Sequence, residues 1–156
     1  MYKTILVPHA GTAGGDEALK HAINIAKSNS SKIIILHIVE ELPHVPLLSL
    51  HSSQTAAIRK QLAEIEESIK QEMSDEMSKK VSMCKKQRIS SEFKISSGSP
   101  LEEIKRTVKN KKIDLIVMAK RRKLKGVKSL LKLGSVSRKV LENVSCPILM
   151  IDLERK

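Results

Sequence analysis

The chain has 156 residues, of which 40% are hydrophobic and 29% are charged, with 29 Lys and Arg against 17 Asp and Glu. This length predicts one domain over residues 1–156, and the apolar share is enough to fill a core. The composition excludes a disordered tail, and the apolar runs are too short to span a membrane. Two cysteines are too few for a disulfide framework, and there is no signal-peptide pattern, so we expect a cytoplasmic protein.

The first part of the chain alternates apolar strands with a helix. Residues 3–8 predict a buried strand that ends at a proline, and the glycine-rich segment 11–16 predicts a loop. A helix follows, with one apolar face made of Ala18, Ala22, Ile25 and Ala26. Residues 32–39 are apolar on both faces, which is typical of a parallel strand covered by helices on both sides.

A long helix is predicted next. Residues 54–87 contain no Gly and no Pro, and apolar residues recur there every three or four positions, at Ile58, Leu62, Ile65, Ile69, Met73, Met77 and Val81. The preceding segment 42–53 predicts an irregular connection. We expect Cys84, near the end of this helix, to be exposed.

The last part of the chain continues the alternation. Residues 91–95 predict a strand, and Ser99, Pro100 and Glu102 predict a helix start with a capping box. Residues 114–119 predict a further strand. Gly134 and Ser135 predict the start of a helix that carries Val136, Val140 and Val144, and residues 147–151 predict the last strand. The order β-α-β-α-β-α-β-α-β indicates an α/β fold with a single open, mostly parallel five-stranded sheet and helices on both faces.

Ligands of open α/β sheets bind beyond the carboxyl ends of the strands, where the strand order reverses. Two loops with suitable chemistry leave strand ends, one at residues 8–12 and the other at 119–135. The second ends in Gly134-Ser135-Val136-Ser137, where free backbone N–H groups and a hydroxyl favour an anion. A helix start of this kind also occurs as an ordinary cap.

Positive charge is concentrated in residues 105–139, which hold fourteen Lys and Arg residues and the single acid Asp114. Such a field attracts phosphates, although a solvated basic face is the ordinary alternative. Nucleic acid is disfavoured as a partner, because the chain has one Tyr, one Phe and no Trp for stacking bases.

The histidines and hydroxyls predict neither a catalytic set nor a metal site. His44 and His51 have no acidic or cysteine partner at ligand spacing. His37 is expected to be a satisfied core histidine. His9 lies beside the predicted cleft, where a ligand contact and a solvent-facing loop position are both open. No nucleophile, base and acid come together in sequence, so we predict no catalytic residues and at most slow hydrolysis.

Four segments together resemble the universal stress protein family over nearly the whole chain. They are Tyr2-Lys3-Thr4-Ile5-Leu6-Val7-Pro8, Gly98-Ser99-Pro100, Asp114-Leu115-Ile116-Val117-Met118, and Gly134-Ser135-Val136-Ser137 with Cys146-Pro147-Ile148-Leu149. The resemblance implies the adenine nucleotide alpha hydrolase-like fold with strand order 3-2-1-4-5. It also implies a homodimer through the last strand, near residues 148–151, besides a protein partner that the sequence does not identify. The implied ligand is ATP or AMP, with Mg²⁺ only alongside ATP.

The chain departs from the motifs of nucleotide-binding family members. Those members carry two motifs, Asp-Gly-Ser after strand one and Gly-x₂-Gly-x₉-Gly-(Ser/Thr) after strand four. Here Ala10 takes the place of the Asp, and Ala119 and Arg122 take the places of the leading glycines, with 11 residues rather than 9 before Gly134. The nucleotide-binding residues that the resemblance implies are Pro8, His9, Ala10, Gly11, Val39, Met118, Ala119, Arg121, Arg122, Gly134, Ser135, Val136 and Ser137.

Three functions therefore stay open. The first is a dimeric stress-response module with a weakened or altered adenine-nucleotide site. The second is a structural or chaperone-like dimer without a nucleotide, which Ala10, Ala119 and Arg122 favour. The third is phosphate-directed binding of nucleic acid through residues 105–139.

Overall fold

A computed structural model describes residues 1–39, 52–120 and 135–153 of the chain. The elements in chain order are β1 (Thr4–Pro8), α1 (Ala13–Asn29), β2 (Lys32–Val39), α2 (Ser52–Lys86), β3 (Ser91–Ser97), α3 (Pro100–Lys111), β4 (Leu115–Ala119), α4 (Ser135–Asn143) and β5 (Ile148–Ile151). Our expectations for His44, His51 and most of the basic loop fall outside the described residues.

The five strands form one sheet in the order β3-β2-β1-β4-β5, and every neighbouring pair is parallel. This confirms the predicted open α/β architecture. Alternate residues of β1 face opposite sides, so Ile5 and Val7 pack with α1 and α2, whereas Leu6 packs on the other side with Ile104 of α3 and Val140 of α4. All five of these side chains are buried, and each helical layer therefore has its own apolar core.

The long helix α2 packs on the sheet chiefly through its second half. Met77, Val81 and Cys84 are buried, whereas Ile65 and Ile69 on the same predicted stripe are 50% and 37% exposed. The helix continues past the area that the sheet can cover. The expectation that Cys84 is exposed is wrong, and burial raises the pKa of its thiol.

The start of α3 differs in detail from the predicted capping box. Ser99 is the N-cap residue and Pro100 occupies the first turn, but the Ser99 side chain makes no cap hydrogen bond. Instead, the Ser99 carbonyl accepts a hydrogen bond from the N–H of Glu103, and Glu102 pairs with Lys105 at 3.3 Å. The capping box is therefore wrong, although the helix boundary is right.

Asp114, the residue before β4, is bonded to the start of β1. Its Oδ2 accepts hydrogen bonds from the backbone N–H groups of Lys3 and Thr4, at 2.8 and 2.9 Å. These bonds hold the pKa of the Asp114 carboxyl below its ordinary value. The lone acid of the basic segment therefore stabilises the central strands.

Candidate functional site

A cavity of about 650 Å³ lies at the carboxyl ends of β1 and β4, where the strand order reverses. Its wall is mostly apolar, with polar atoms from a few side chains and from the first turn of α1. The lining residues are Pro8, His9, Ala10, Thr12, Ala13, Gly14, Gly15, Leu36, Ile38, Pro100, Ile104, Met118, Ala119, Lys120, Val136, Ser137 and Leu153.

The loop between β1 and α1 forms one wall of the cavity. The N–H of His9 donates to the Leu36 carbonyl at 2.8 Å, which extends the pairing of β1 with β2 by one residue. Gly11 then takes a left-handed φ of 69°, a conformation that favours glycine. Thr12 follows as the N-cap of α1, and its side chain accepts a hydrogen bond from the N–H of Gly15.

The His9 ring lies inside the protein and does not face solvent. Its side chain is fully buried, and Nδ1 accepts a hydrogen bond from the N–H of Gly11 at 3.0 Å. Its Nε2 is 3.2 Å from Oδ1 of Asp16. The solvent-facing alternative is therefore wrong. Burial, followed by the charge of Lys80, lowers the pKa of His9, so the neutral ring is favoured.

An ion-pair network that the sequence analysis missed supports this loop from α2. Nζ of Lys80 lies 2.5 Å from Oδ1 of Asp16 and 3.2 Å from Oε1 of Glu76. Burial opposes the charge on Asp16, but the hydrogen bond and charge of Lys80 outweigh it and lower the pKa of Asp16. Because Asp16 and Lys80 are 64 residues apart, no local spacing indicates the pair.

Two glycines allow α1 to pack closely at the cavity. A Cβ added to Gly15 would lie 2.8 Å from three atoms of the His9 ring, which real contacts do not tolerate. A Cβ on Gly14 would lie 3.1 Å from Leu153 and 3.2 Å from Cβ of Ala119. The first turn of α1 therefore approaches the ends of β1, β4 and β5 with its backbone.

The opposite wall comes from β4, α3 and α4. Met118 and Ala119 end β4, and the N–H of Lys120 donates to the Ile151 carbonyl at 2.8 Å. Nζ of Lys120 is 3.1 Å from Oδ2 of Asp152, at the edge of the cavity. Ser137, in the first turn of α4, is buried against the cavity.

The structure brings most of the predicted site residues together. Those that line the cavity are Pro8, His9, Ala10, Met118, Ala119, Val136 and Ser137. Gly11, Val39 and Ser135 lie next to lining residues in sequence but do not line the cavity themselves, and Arg121, Arg122 and Gly134 fall outside the described residues.

The lining residues that the sequence analysis missed come from the glycine-rich start of α1, the end of β2, α3, and the segment after β5. The carboxyl end of β2 lies beside that of β1 in any parallel pairing of the two, so Leu36 and Ile38 could have been found. Leu153 could not, because only the packing of α1 against the chain after β5 brings it to Gly14.

The cavity suits an anion attached to an apolar body. The N-termini of α1 and α4 both line it, and a helix N-terminus offers unpaired N–H groups and the positive end of its dipole. Within the described ranges, no group of three His, Cys, Asp or Glu side chains could hold a metal ion. No helix in that part of the chain is long and apolar enough to cross a membrane.

The strand order and the cavity at its reversal point define an α/β protein with an open parallel sheet and a ligand-sized site at the carboxyl ends of its strands. The chain belongs to the universal stress protein family, whose family model matches residues 1–152. A curated relative, universal stress protein MJ0531 of Methanocaldococcus jannaschii, is 32% identical over 100% of this chain and 85% of its own length.

Solved structures show the same fold. The universal stress protein UspA from Lactobacillus plantarum superposes with a TM-score of 0.79 at 23% identity, over 96% of this chain and 97% of its own. A universal stress protein from Archaeoglobus fulgidus in complex with dAMP has a TM-score of 0.63 at 16% identity, over 96% of this chain and 98% of its own.

Proposed function

We propose that this universal stress protein binds an adenine nucleotide, ATP or AMP, in the cavity at the ends of β1 and β4, with contacts that differ from those implied by the family motifs. The observation that carries the proposal is the cavity itself. Its volume of about 650 Å³ is in the range of small-molecule sites, and it lies at the reversal of strand order with two helix N-termini at its wall. The Archaeoglobus fulgidus relative with dAMP supports adenine nucleotides as the ligand class.

We expect different lining residues to contact the base, the sugar and the phosphate of the nucleotide. Leu36, Ile38 and Ile104 offer an apolar surface for the flat base, while Ser137 and the first turn of α4 face the phosphate. Lys120 adds a cation at the cavity edge. Ala10 replaces the carboxylate that would accept ribose hydroxyls, so affinity is weakened on the sugar side. Mg²⁺ would enter only with the phosphates of ATP.

Calorimetry with ATP, ADP and AMP, with and without Mg²⁺, tests the proposal. Saturable binding that falls at least about tenfold in Ala10→Leu would support it, since the larger side chain occupies the cavity. The matched control is Ala57→Leu, which adds the same side chain at an exposed position of α2. Absence of binding to the native protein, with the fold intact, would refute it.

A second function, a dimer without a nucleotide, is favoured by one observation. The methyl groups of Ala10 and Ala119 stand at the cavity wall where the nucleotide-binding motif has a carboxylate and a glycine. The same calorimetry separates the two functions. Binding of nucleic acid has less support, because Lys105, Arg106 and Lys111 pair with Glu102, Glu103 and Glu92.

We also propose a cytoplasmic homodimer that forms through β5. This strand is at the edge of the sheet, and Leu149 in its centre is 36% exposed. An open apolar strand edge invites pairing with another copy. Light scattering on Leu149→Glu should give a monomer, whereas Leu141→Glu, at an exposed leucine of α4, should leave the dimer intact. A native protein that is monomeric at working concentrations would refute the dimer.

A further inference from the structure

The His9 ring is held between the loop that lines the cavity and the helix that follows it. The side chain has no exposed surface, and α1 packs against the ring so closely that only a glycine fits at position 15. The backbone of His9 is held as well, because its carbonyl accepts a hydrogen bond from Nδ1 of His37 at 2.8 Å. The ring is therefore packed closely against the first turn of α1.

The hydrogen bonds of the ring define its protonation state. A backbone N–H is always a donor, so the 3.0 Å bond from Gly11 requires that Nδ1 carry no proton. The proton of the neutral ring is then on Nε2, which donates to Oδ1 of Asp16 at 3.2 Å. A second proton could bind only at Nδ1, where it would face the N–H of Gly11 as a donor against a donor.

The charged groups around the ring come from two helices. Asp16 approaches Nε2 from α1, and Lys80 and Glu76 extend the network from α2. His37 of β2 donates from Nδ1 to the backbone carbonyl of His9. Because Lys80 lies 2.5 Å from the same Asp16 oxygen that receives Nε2–H, the negative charge that would favour a protonated ring is shared with a cation.

We propose that His9 is a positioning residue that holds the loop from β1 to α1 in its ligand-binding form only while its ring is neutral, so that protonation of His9 opens the Gly11 contact and weakens nucleotide binding. Pro8, Ala10 and Thr12 of this loop line the cavity, so loss of the Gly11 bond changes the wall that the ligand contacts. The effect on nucleotide binding rests on the proposed function. The coupling between protonation of His9 and its hydrogen bond to Gly11 does not.

Two measurements on the full chain test the inference. The first follows the His9 ring and the Gly11 amide by NMR as the pH is lowered. We expect both signals to titrate with one pKa, since a proton on Nδ1 removes the bond between them. A ring that stays neutral down to pH 5 in the folded protein, or a Gly11 amide that does not follow it, would overturn the coupling.

The second measurement is AMP affinity at pH 7.5 and at half a unit below the pKa found by NMR. At that pH about one quarter of the rings stay neutral. Because only the neutral form binds well, the apparent affinity for AMP should fall about fourfold. His9→Asn offers Gly11 an acceptor that does not titrate, and this variant should show only the change caused by the AMP phosphate. His21→Asn, at an exposed histidine, should behave like the native protein.

The outcomes separate the two proposals. Equal pH dependence in the native protein and His9→Asn would overturn the role of His9 in ligand binding. If no variant binds AMP at either pH, the proposed function fails, and the NMR titration still decides whether His9 controls the loop.

Discussion

The two helical layers differ in the partners that their buried polar side chains have. In the layer of α1 and α2, both ring nitrogens of His9 have hydrogen-bond partners, and a glycine gives the ring its space. In the layer of α3 and α4, the buried hydroxyl of Thr107 has no hydrogen-bond partner among the described residues, and the buried carboxylate of Glu103 relies on the partly exposed Arg106 and Lys94. The polar groups that support the cavity loop are therefore joined by hydrogen bonds and by the ion pairs of Lys80, whereas those buried in the other layer rely on partly exposed cations or have no partner in the described part of the chain.

Gly15→Ala should change stability the most, because it removes the space for the His9 ring. Three ring atoms would meet the new methyl group at 2.8 Å, and overpacking of this kind costs about 1–3 kcal/mol. We expect the upper half of this range in the free energy of unfolding, measured with urea. Gly14→Ala should cost less, because its contacts at 3.1–3.2 Å are the end of a flexible leucine and one methyl group. Equal losses of stability in the two variants would contradict the closer packing of Gly15 against the His9 ring.

The next effect is that of Lys80→Met, which removes the cation but keeps the packing of its stem. We expect a loss of about 1 kcal/mol, since Asp16 is half exposed and stays solvated. The pKa of His9 should rise, because the charge of Lys80 is one of the causes that lower it. NMR titration of the ring measures this change. Lys79→Met, at an exposed neighbour, should change neither quantity.

A pH dependence of stability should come from the same layer. Because the pKa of folded His9 lies below its ordinary value of 6.5, the unfolded chain binds this proton first. The contribution to stability is complete above about pH 6.5 and is lost as the pH falls through the lowered pKa. Urea unfolding at pH 5.0–7.5 should show this loss in the native protein and not in His9→Asn. Parallel curves for the two proteins would exclude His9 as the cause.

The smallest effect is expected in the other layer, for Thr107→Val. The substitution replaces a buried hydroxyl that makes no hydrogen bond within the described part of the chain. We expect an unchanged or higher free energy of unfolding, by up to about 1 kcal/mol, because no bond is lost and a desolvated polar atom is removed. Thr107→Ser, which keeps the hydroxyl and loses the methyl group, should be less stable than the native protein. A clear loss in Thr107→Val would indicate that the hydroxyl is bonded after all.

Sequence patterns predicted the elements well where hydrophobic burial alone decides them. The continuous apolar run of β2 and the boundary at Ser99-Pro100 are examples, and both appear in the structure. The patterns failed in two places. The burial of Cys84 depends on how far α2 lies over the sheet, and at the start of α3 Glu102 pairs with Lys105 on the next turn instead of completing the cap.

The candidate site shows the same division. The ends of β1 and β4 were predicted as its centre, because parallel strands bring their carboxyl ends to one edge. The role of His9 was not predicted, since a single histidine in a loop has no periodicity, and Asp16 and Lys80 are far apart in sequence.

The alternation of strands and helices, the parallel sheet and the position of the cavity could be predicted from the sequence, because they follow from local periodicity and from the way parallel strands must be connected. Three features follow from the packing of the elements: the burial of His9 with its bond to Gly11, the need for a glycine at position 15, and the support of the cavity loop by Lys80 of α2. These features depend on distances of about 3 Å between separate elements, and such distances exist only once the elements have packed together.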